Sequence, residues 1–265
     1  MSMTTPIAPR TALTVLADIK IAHSVFALPF ALLAAVMAAW PPEESGVAAV
    51  SNDVFVGAIV LIVVAMVTAR TAAMLSNRIL DRAIDARNPR TTSRPLASGA
   101  ASLSNYVFVL AAVSVLFVGI TSGFWFLYGN PYPVILAVPV LAWICSYGLL
   151  KRFTSWCHVW LGISLAISVP AAAVAINPDA VLVEPSLWLL AGMVLCWVAG
   201  FDMIYALQDV TVDRAEGLHS MPSRLGVSGA LWLSCVLHVV AVTLLTLVWW
   251  MDPRLGWGFL VGVVA

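Results

Sequence analysis

Residues 54–99 read VFVGAIVLIVVAMVTARTAAMLS NRILDRAIDARNPRTTSRPLASG, and this stretch decides the fold. Its first half, Val54 to Ser76, is an apolar run broken by a single charge, Arg70. About 20 such residues suffice for a helix to cross a bilayer. Its second half, Asn77 to Gly99, is as polar as the first is apolar. Working outward, further apolar runs lie near 19–40, 105–127, 133–150, 157–176, 187–206 and 229–250, and another begins at Leu255. The expectation is an all-α, multi-spanning transmembrane helical bundle of seven full spans plus a truncated eighth. The last run has too few residues to cross; either the chain is truncated or a short helix lies in the interface. All of 1–265 reads as one domain.

Composition agrees. Of the 265 residues, 62% are hydrophobic and only 10% charged, with a mean hydropathy of +1.00. Soluble domains carry about 25% charged residues, so a soluble globular enzyme and a disordered chain are both excluded. The apolar runs are continuous rather than alternating, which excludes a barrel. The 13 basic and 13 acidic residues cancel, and no basic stripe suggests nucleic acid. Cys145, Cys157, Cys196 and Cys235 form no paired motif and read as small apolar residues.

Charge is concentrated. Eight charges lie between Arg70 and Arg94 and six between Asp202 and Arg224, more than half of the total. Ionisable residues beside membrane spans mark function by default. Loops rich in Arg and Lys alternate with loops lacking them, which predicts a protein of the cytoplasmic membrane with its N-terminus and both charged blocks facing the cytoplasm. Arg254 alone breaks the alternation.

In the first block, Asn77, Asp81 and Asp85 are spaced i, i+4, i+8, which stacks them on one helix face. Three oxygen donors in a row suit a hard divalent cation; Mg²⁺ binds through one or two carboxylates plus substrate phosphates. The interleaved Arg78, Arg82, Arg87, Arg90 and Arg94 suit phosphate oxygens. The second block, FDMIYALQDVTVDRAEGLHSMPSRLG from Phe201 to Gly226, repeats the spacing at Asp209 and Asp213. Asp202 and Tyr205 are expected on the same face, with Gly217 ending the helix. Two such blocks on one side of the membrane imply a paired site for a diphosphate bridged by Mg²⁺.

Simpler readings compete. Aspartates beside arginines also make helix-end salt bridges worth a few tenths of a kcal/mol, but two blocks of one design on one side exceed that explanation. A transporter places its ionisable residues near the bilayer midplane. A lipid-head-group transferase uses a tighter D-x-x-D-G spacing, absent here. Arg70, inside a span, needs a polar partner: a carboxylate such as Asp202, or an acceptor that it orients. His23 reads as a helix-packing residue or an acceptor-orienting one. His158 and His238 receive no role.

N-x-x-x-D-x-x-x-D followed by RT-x-x-RPL-x-SG, together with D-x-x-x-D-x-x-x-G-x-x-S, resembles the two aspartate-rich signatures of the UbiA superfamily of membrane prenyltransferases, and the resemblance covers essentially the whole chain. It implies a helical bundle, usually of nine spans, that transfers a polyprenyl group from a polyprenyl diphosphate to an aromatic acceptor within membrane lipid, with Mg²⁺. It implies metal and diphosphate roles for Asn77, Asp81, Asp85, Asp209 and Asp213, and basic partners in Arg90 and Arg94. Many relatives carry Asp at the position of Arg78 and Lys at that of His219; here Arg78 and His219 are expected to face the diphosphate, as is Arg82. Tyr205 is expected to line the site of the allyl cation. The first span, IKIAHSVFALPFA, with DARNPRT and YALQD, is similar to the subgroup of futalosine-route menaquinone synthesis, which implies a dihydroxynaphthoate acceptor; the alternative is 4-hydroxybenzoate.

Overall fold

The computed structural model describes residues 26–264 together with Val15, Asp18 and Ile19. All of its regular structure is helical. Helix α1 spans Leu28–Ala39 and α2 Asn52–Asp85; α3 is Leu103–Tyr128. Two broken spans follow. Helices α4 (Tyr132–Cys145) and α5 (Tyr147–Leu150) are separated at Ser146, and α6 (Cys157–Ala166) and α7 (Ser168–Ile176) at Ile167. A single turn, α8 (Ala180–Val183), precedes α9 (Pro185–Ala206). The chain then makes a 3-10 turn, Leu207–Asp209, and a short helix α10, Val210–Ala215. Helix α11 covers Met221–Met251 and α12 Trp257–Val264.

Local chemistry sets these limits. Prolines occupy the first turns of α1, α4, α9 and α11, where their missing N–H costs nothing. Ser102 caps α3 by accepting from Asn105 N–H at 3.3 Å, and Ser220 and Ser223 form a reciprocal capping box at the start of α11. Within α11, Gly226 stands at φ 72°, ψ 175°, and kinks the helix near its start.

Among the described residues, six segments are long and apolar enough to cross a membrane: 52–85, 103–128, 132–150, 157–176, 185–215 and 221–251. Against the expected seven full spans and an eighth, the described residues show six. The run expected at 19–40 is described as a helix only over Leu28–Ala39, too short to span, and residues 20–25 lie outside the described set. The run from Leu255 forms the eight residues of α12.

The segment containing α9 is central: half of its apolar window is buried, against 17% for α11 and for the span of α4 and α5. It packs on α11, α6 and α7. Helix α1 buries Ala31, Ala34, Ala35 and Ala38 beside Ala172 and Ala173 of α7. Side chains this small let helix backbones approach closely where lipid supplies no hydrophobic drive. Outside, Phe108, Val115 and Phe126 are more than 70% exposed, an apolar surface that only lipid solvates.

Arg254 sits at the end of the bundle away from the acidic blocks. It donates to the carbonyls of Met37 and Trp40, which close α1, and binds Asp252 and Glu184 at 2.6 and 2.8 Å. Both carboxylates are almost wholly buried. The charge that breaks the loop alternation is therefore neutralised inside the protein.

Candidate active site

At 34 residues α2 is about 51 Å long, well beyond the roughly 30 Å of a hydrocarbon core. Its final turns overshoot the apolar run and carry Asn77, Asp81 and Asp85 on one face. Asp81 and Asp85 are 4% and 6% exposed. Lys151, in the connector between α5 and α6, sits 3.0 Å from Asp81 Oδ2. The other oxygen, Asp81 Oδ1, is buried with no partner among the described residues, and so is Asn77 Oδ1 one turn earlier. Gly148 of α5 makes room for that amide: a Cβ there would lie 2.7 Å from Asn77 Oδ1. Asp85 Oδ2 accepts from Arg94 at 2.6 Å.

The loop after α2 folds over the second block. Asn88 Oδ1 accepts Arg90 N–H at 3.0 Å, a local turn that aims both side chains across the site. Asn88 Nδ2 and Arg90 Nε donate to Asp209 Oδ1 at 2.9 and 3.0 Å, and Arg90 Nη2 binds Asp209 Oδ2. Arg90 Nη1 donates to the Tyr205 hydroxyl at 3.1 Å, with the guanidinium carbon 5.4 Å from the ring centroid. The hydrogen bond to Asp209 holds the Arg90 guanidinium above the ordinary arginine range. Arg87 grips Glu216 through a second fork, which pulls the Glu216 carboxyl below its usual range. Asp213 is buried beside Ser220.

The structure therefore brings Asn77, Asp81, Asp85, Asp209, Asp213, Arg90, Arg94 and Tyr205 to one polar end. Other candidate residues take other positions. Arg78 turns away: its Nε is 3.2 Å from Asp18 Oδ2, which also accepts the Tyr106 hydroxyl at 2.8 Å. Arg82 is exposed, with no side-chain partner among the described residues. His219 is exposed and engages through its backbone, its N–H donating to Lys151 O at 2.6 Å. Asp202 is not stacked in line with Asp209, because the 3-10 turn interrupts the helical register between them; it pairs instead with His158 at 2.7 Å. Arg70 accordingly lacks the expected Asp202 contact and has no partner among the described residues. His23 lies outside the described residues.

Sequence reasoning overlooks Lys151, Arg152, Asn88 and His158. The Lys151–Arg152 pair reads as a topology signal, yet Lys151 reaches Asp81 and Arg152 donates to Leu80 O. The signal that could have found it is its place on the same side of the membrane as both acidic blocks.

Among the described residues no three carboxylate, histidine or cysteine side chains converge on one point. Mg²⁺ needs no such cage, since waters and phosphate oxygens complete its shell. The orphaned buried oxygens of Asn77 and Asp81 are acceptors without a donor, and such groups are costly unless a cation or water meets them. The donor set therefore fits Mg²⁺.

Beside Tyr205, α9 presents Phe201 and Trp197 at successive turns. Phe26 stacks on Trp197 at 4.9 Å and meets Phe201 edge-on at 5.1 Å.

Residues 27–265 match the family described as the UbiA prenyltransferase family. The chain is 31% identical over 191 residues to a 4-hydroxybenzoate octaprenyltransferase of Nitrosomonas eutropha, covering 71% of this chain and 63% of that protein. The enzyme of the same name from Citrobacter koseri is 30% identical, with 72% and 62% covered. The chain thus spans a little under two thirds of the length of these curated relatives. Among solved structures, the apo UbiA homolog from Aeropyrum pernix K1 superposes with a TM-score of 0.78 at 34% identity, covering 92% of this chain and 84% of that one. A UbiA homolog from Archaeoglobus fulgidus bound to DMAPP and Mg²⁺ shares the fold, with a TM-score of 0.68 at 17% identity, covering 96% of this chain and 82% of that one.

Proposed function

Because the chain belongs to the UbiA prenyltransferase family, we propose that it transfers a polyprenyl group from an allylic diphosphate to an aromatic acceptor, with Mg²⁺ held by Asn77, Asp81, Asp85, Asp209 and Asp213. One observation carries this reading. Two acidic segments far apart in sequence meet at a single polar end, joined by the Arg90–Asp209 fork, with unpaired oxygens of Asn77 and Asp81 beside them.

The chemistry follows from the residues. When bound, Mg²⁺ neutralises the charge that develops on the departing diphosphate. Arg90, Arg94 and Lys151 border that charge, and each keeps donors beyond those spent on its aspartate. The aspartates orient and do not attack carbon. The Tyr205 ring, at the start of the aromatic wall, faces the carbon that turns cationic, and Phe201, Trp197 and Phe26 line the path of the isoprenoid chain. This apolar wall keeps water from trapping the cation as an alcohol. The electron-rich ring of the acceptor attacks C1 of the chain and then loses a proton.

Arg70 offers the acceptor an anchor. A guanidinium inside a membrane span with no partner among the described residues calls for an anion, and a benzoate carboxylate supplies one. We take 4-hydroxybenzoate as the acceptor in preference to a dihydroxynaphthoate, because it stands in the names of the curated relatives that the chain resembles. The site is assigned to the cytoplasmic face of the membrane on the loop charges alone.

The test is turnover by purified protein with a radiolabelled allylic diphosphate, with and without Mg²⁺, offered 4-hydroxybenzoate or a dihydroxynaphthoate. Mg²⁺-dependent product with 4-hydroxybenzoate is expected. Product with the naphthoate alone overturns the acceptor; no product with either, in folded protein, overturns the reaction class.

A further inference from the structure

The acidic segment between α9 and α11 leaves the bundle just after Asp202 and rejoins it at Met221. One side chain bridges both points. His158, in the first turn of α6 and 2% exposed, lies with Nδ1 2.7 Å from Asp202 Oδ2 and accepts the Met221 backbone N–H at Nε2, 3.2 Å away. The two ring nitrogens thus face opposite ends of the segment, Nδ1 the Asp202 carboxylate and Nε2 the Met221 backbone. The Tyr147 hydroxyl lies 3.5 Å from the same carboxylate oxygen. Neighbouring residues hold the same exit: Lys151 O accepts His219 N–H at 2.6 Å, and Ser155 Oγ is 3.4 Å from Arg224 Nη1.

The same connector, residues 151–158, also meets the first motif. Lys151 Nζ is 3.0 Å from Asp81 Oδ2, and Arg152 donates to Leu80 O. One stretch of chain therefore touches both acidic motifs, the first through Lys151 and Arg152 and the second through His158 and the Lys151 carbonyl.

We infer that His158 is a positioning residue for the metal site: it ties both ends of the acidic segment to the 151–158 connector and so sets Asp209 and Asp213 at their working distance from Asp81 and Asp85. The inference rests on the metal reading proposed above. His158 is not itself a ligand, since both ring nitrogens are already engaged. It acts through Asp202 and Met221. Closing the base of a segment restricts where its middle can go, and a metal or diphosphate site tolerates little misplacement.

The test is a Mn²⁺ titration of the purified full chain by electron paramagnetic resonance, with an unreactive allylic diphosphate analogue present and no acceptor. His158→Leu is expected to weaken Mn²⁺ binding about tenfold or more, the scale seen when residues behind metal ligands are changed. His158→Gln, which keeps one donor and one acceptor, is expected to stay within about threefold of the parent, a rescue that loss of packing alone does not give. Asp202→Leu is expected to reproduce the His158→Leu loss, and the double variant to add nothing further. Where His158→Leu does not fold, His158→Asn serves: it keeps the donor to Asp202, is too short for Met221, and is expected to weaken binding measurably. Unchanged Mn²⁺ affinity in the folded variant, or His158→Gln as impaired as His158→Leu, overturns the inference. Failure of the parent chain to bind Mn²⁺ overturns the metal reading itself, and the positioning role with it.

Discussion

Arg90 grips Asp209 with both edges of a guanidinium fork, across 119 residues of sequence. The contact locks the loop of one acidic block onto the other, and Asn88 shares the same carboxylate oxygen. A lysine offers no such fork. Arg90→Lys is therefore expected to lower kcat by about 10²-fold, close to the effect of Arg90→Ala, because a point charge does not replace two directed donors. Steady-state turnover of the two variants checks this; full activity in Arg90→Lys counts against a role for the fork.

Asp81→Ala is expected to abolish turnover, with at least about 10³-fold loss, since it removes both the Lys151 partner and the orphaned oxygen beside Asn77. Near-normal activity in well-folded protein removes Asp81 from the metal site.

Arg70→Leu is expected to raise the acceptor KM by about 10²-fold while the KM for the prenyl diphosphate stays near the parent value, the pattern for a lost charge-assisted contact to one substrate only. A loss spread equally over both substrates contradicts a role in anchoring the acceptor.

Gly148→Ala places a methyl 2.7 Å from Asn77 Oδ1 and 3.2 Å from Leu80. Overpacking of this kind costs about 1–3 kcal/mol, so a lower Tm together with weaker Mn²⁺ binding is expected. An unchanged Tm shows that α5 and α2 have slack at this contact.

Glu184 gives a pH dependence with a definite sign. Burial pushes its carboxyl above the ordinary value of 4.5, although Arg254 opposes the shift. The folded state then holds this proton more tightly than the unfolded chain, so the contribution of Glu184 to stability falls as pH rises from 4.5 through its raised value. Tm of the parent is expected to decline over that window relative to Glu184→Gln, which has no proton to lose. Parallel Tm curves for the two proteins exclude the linkage.

Much of the site is legible in the amino-acid sequence. The spacing of Asn77, Asp81 and Asp85 places them on one face in any helix, and the overlong α2 carries them past the apolar run. Arg90 and Arg94 are recognisable because they follow that motif directly. Arg78 shows the limit of such reading. It is adjacent to Asn77 in sequence, but one residue is a rotation of about 100° on a helix, and that direction leads to Asp18 and Tyr106 rather than into the site.

By itself the sequence determined the class of solvent, the helical architecture and the two acidic motifs, because hydropathy and helical periodicity are local properties of the chain. The tertiary structure decided the partners. Lys151 on Asp81, Arg90 on Asp209, and His158 between Asp202 and Met221 join residues that no local period relates. Such pairings depend on which helices pack together and on where each one breaks, as at the 3-10 turn Leu207–Asp209 that sets Asp209 out of line with Asp202. Packing is the sum of many weak contacts over the whole bundle, and no single stretch of sequence carries it.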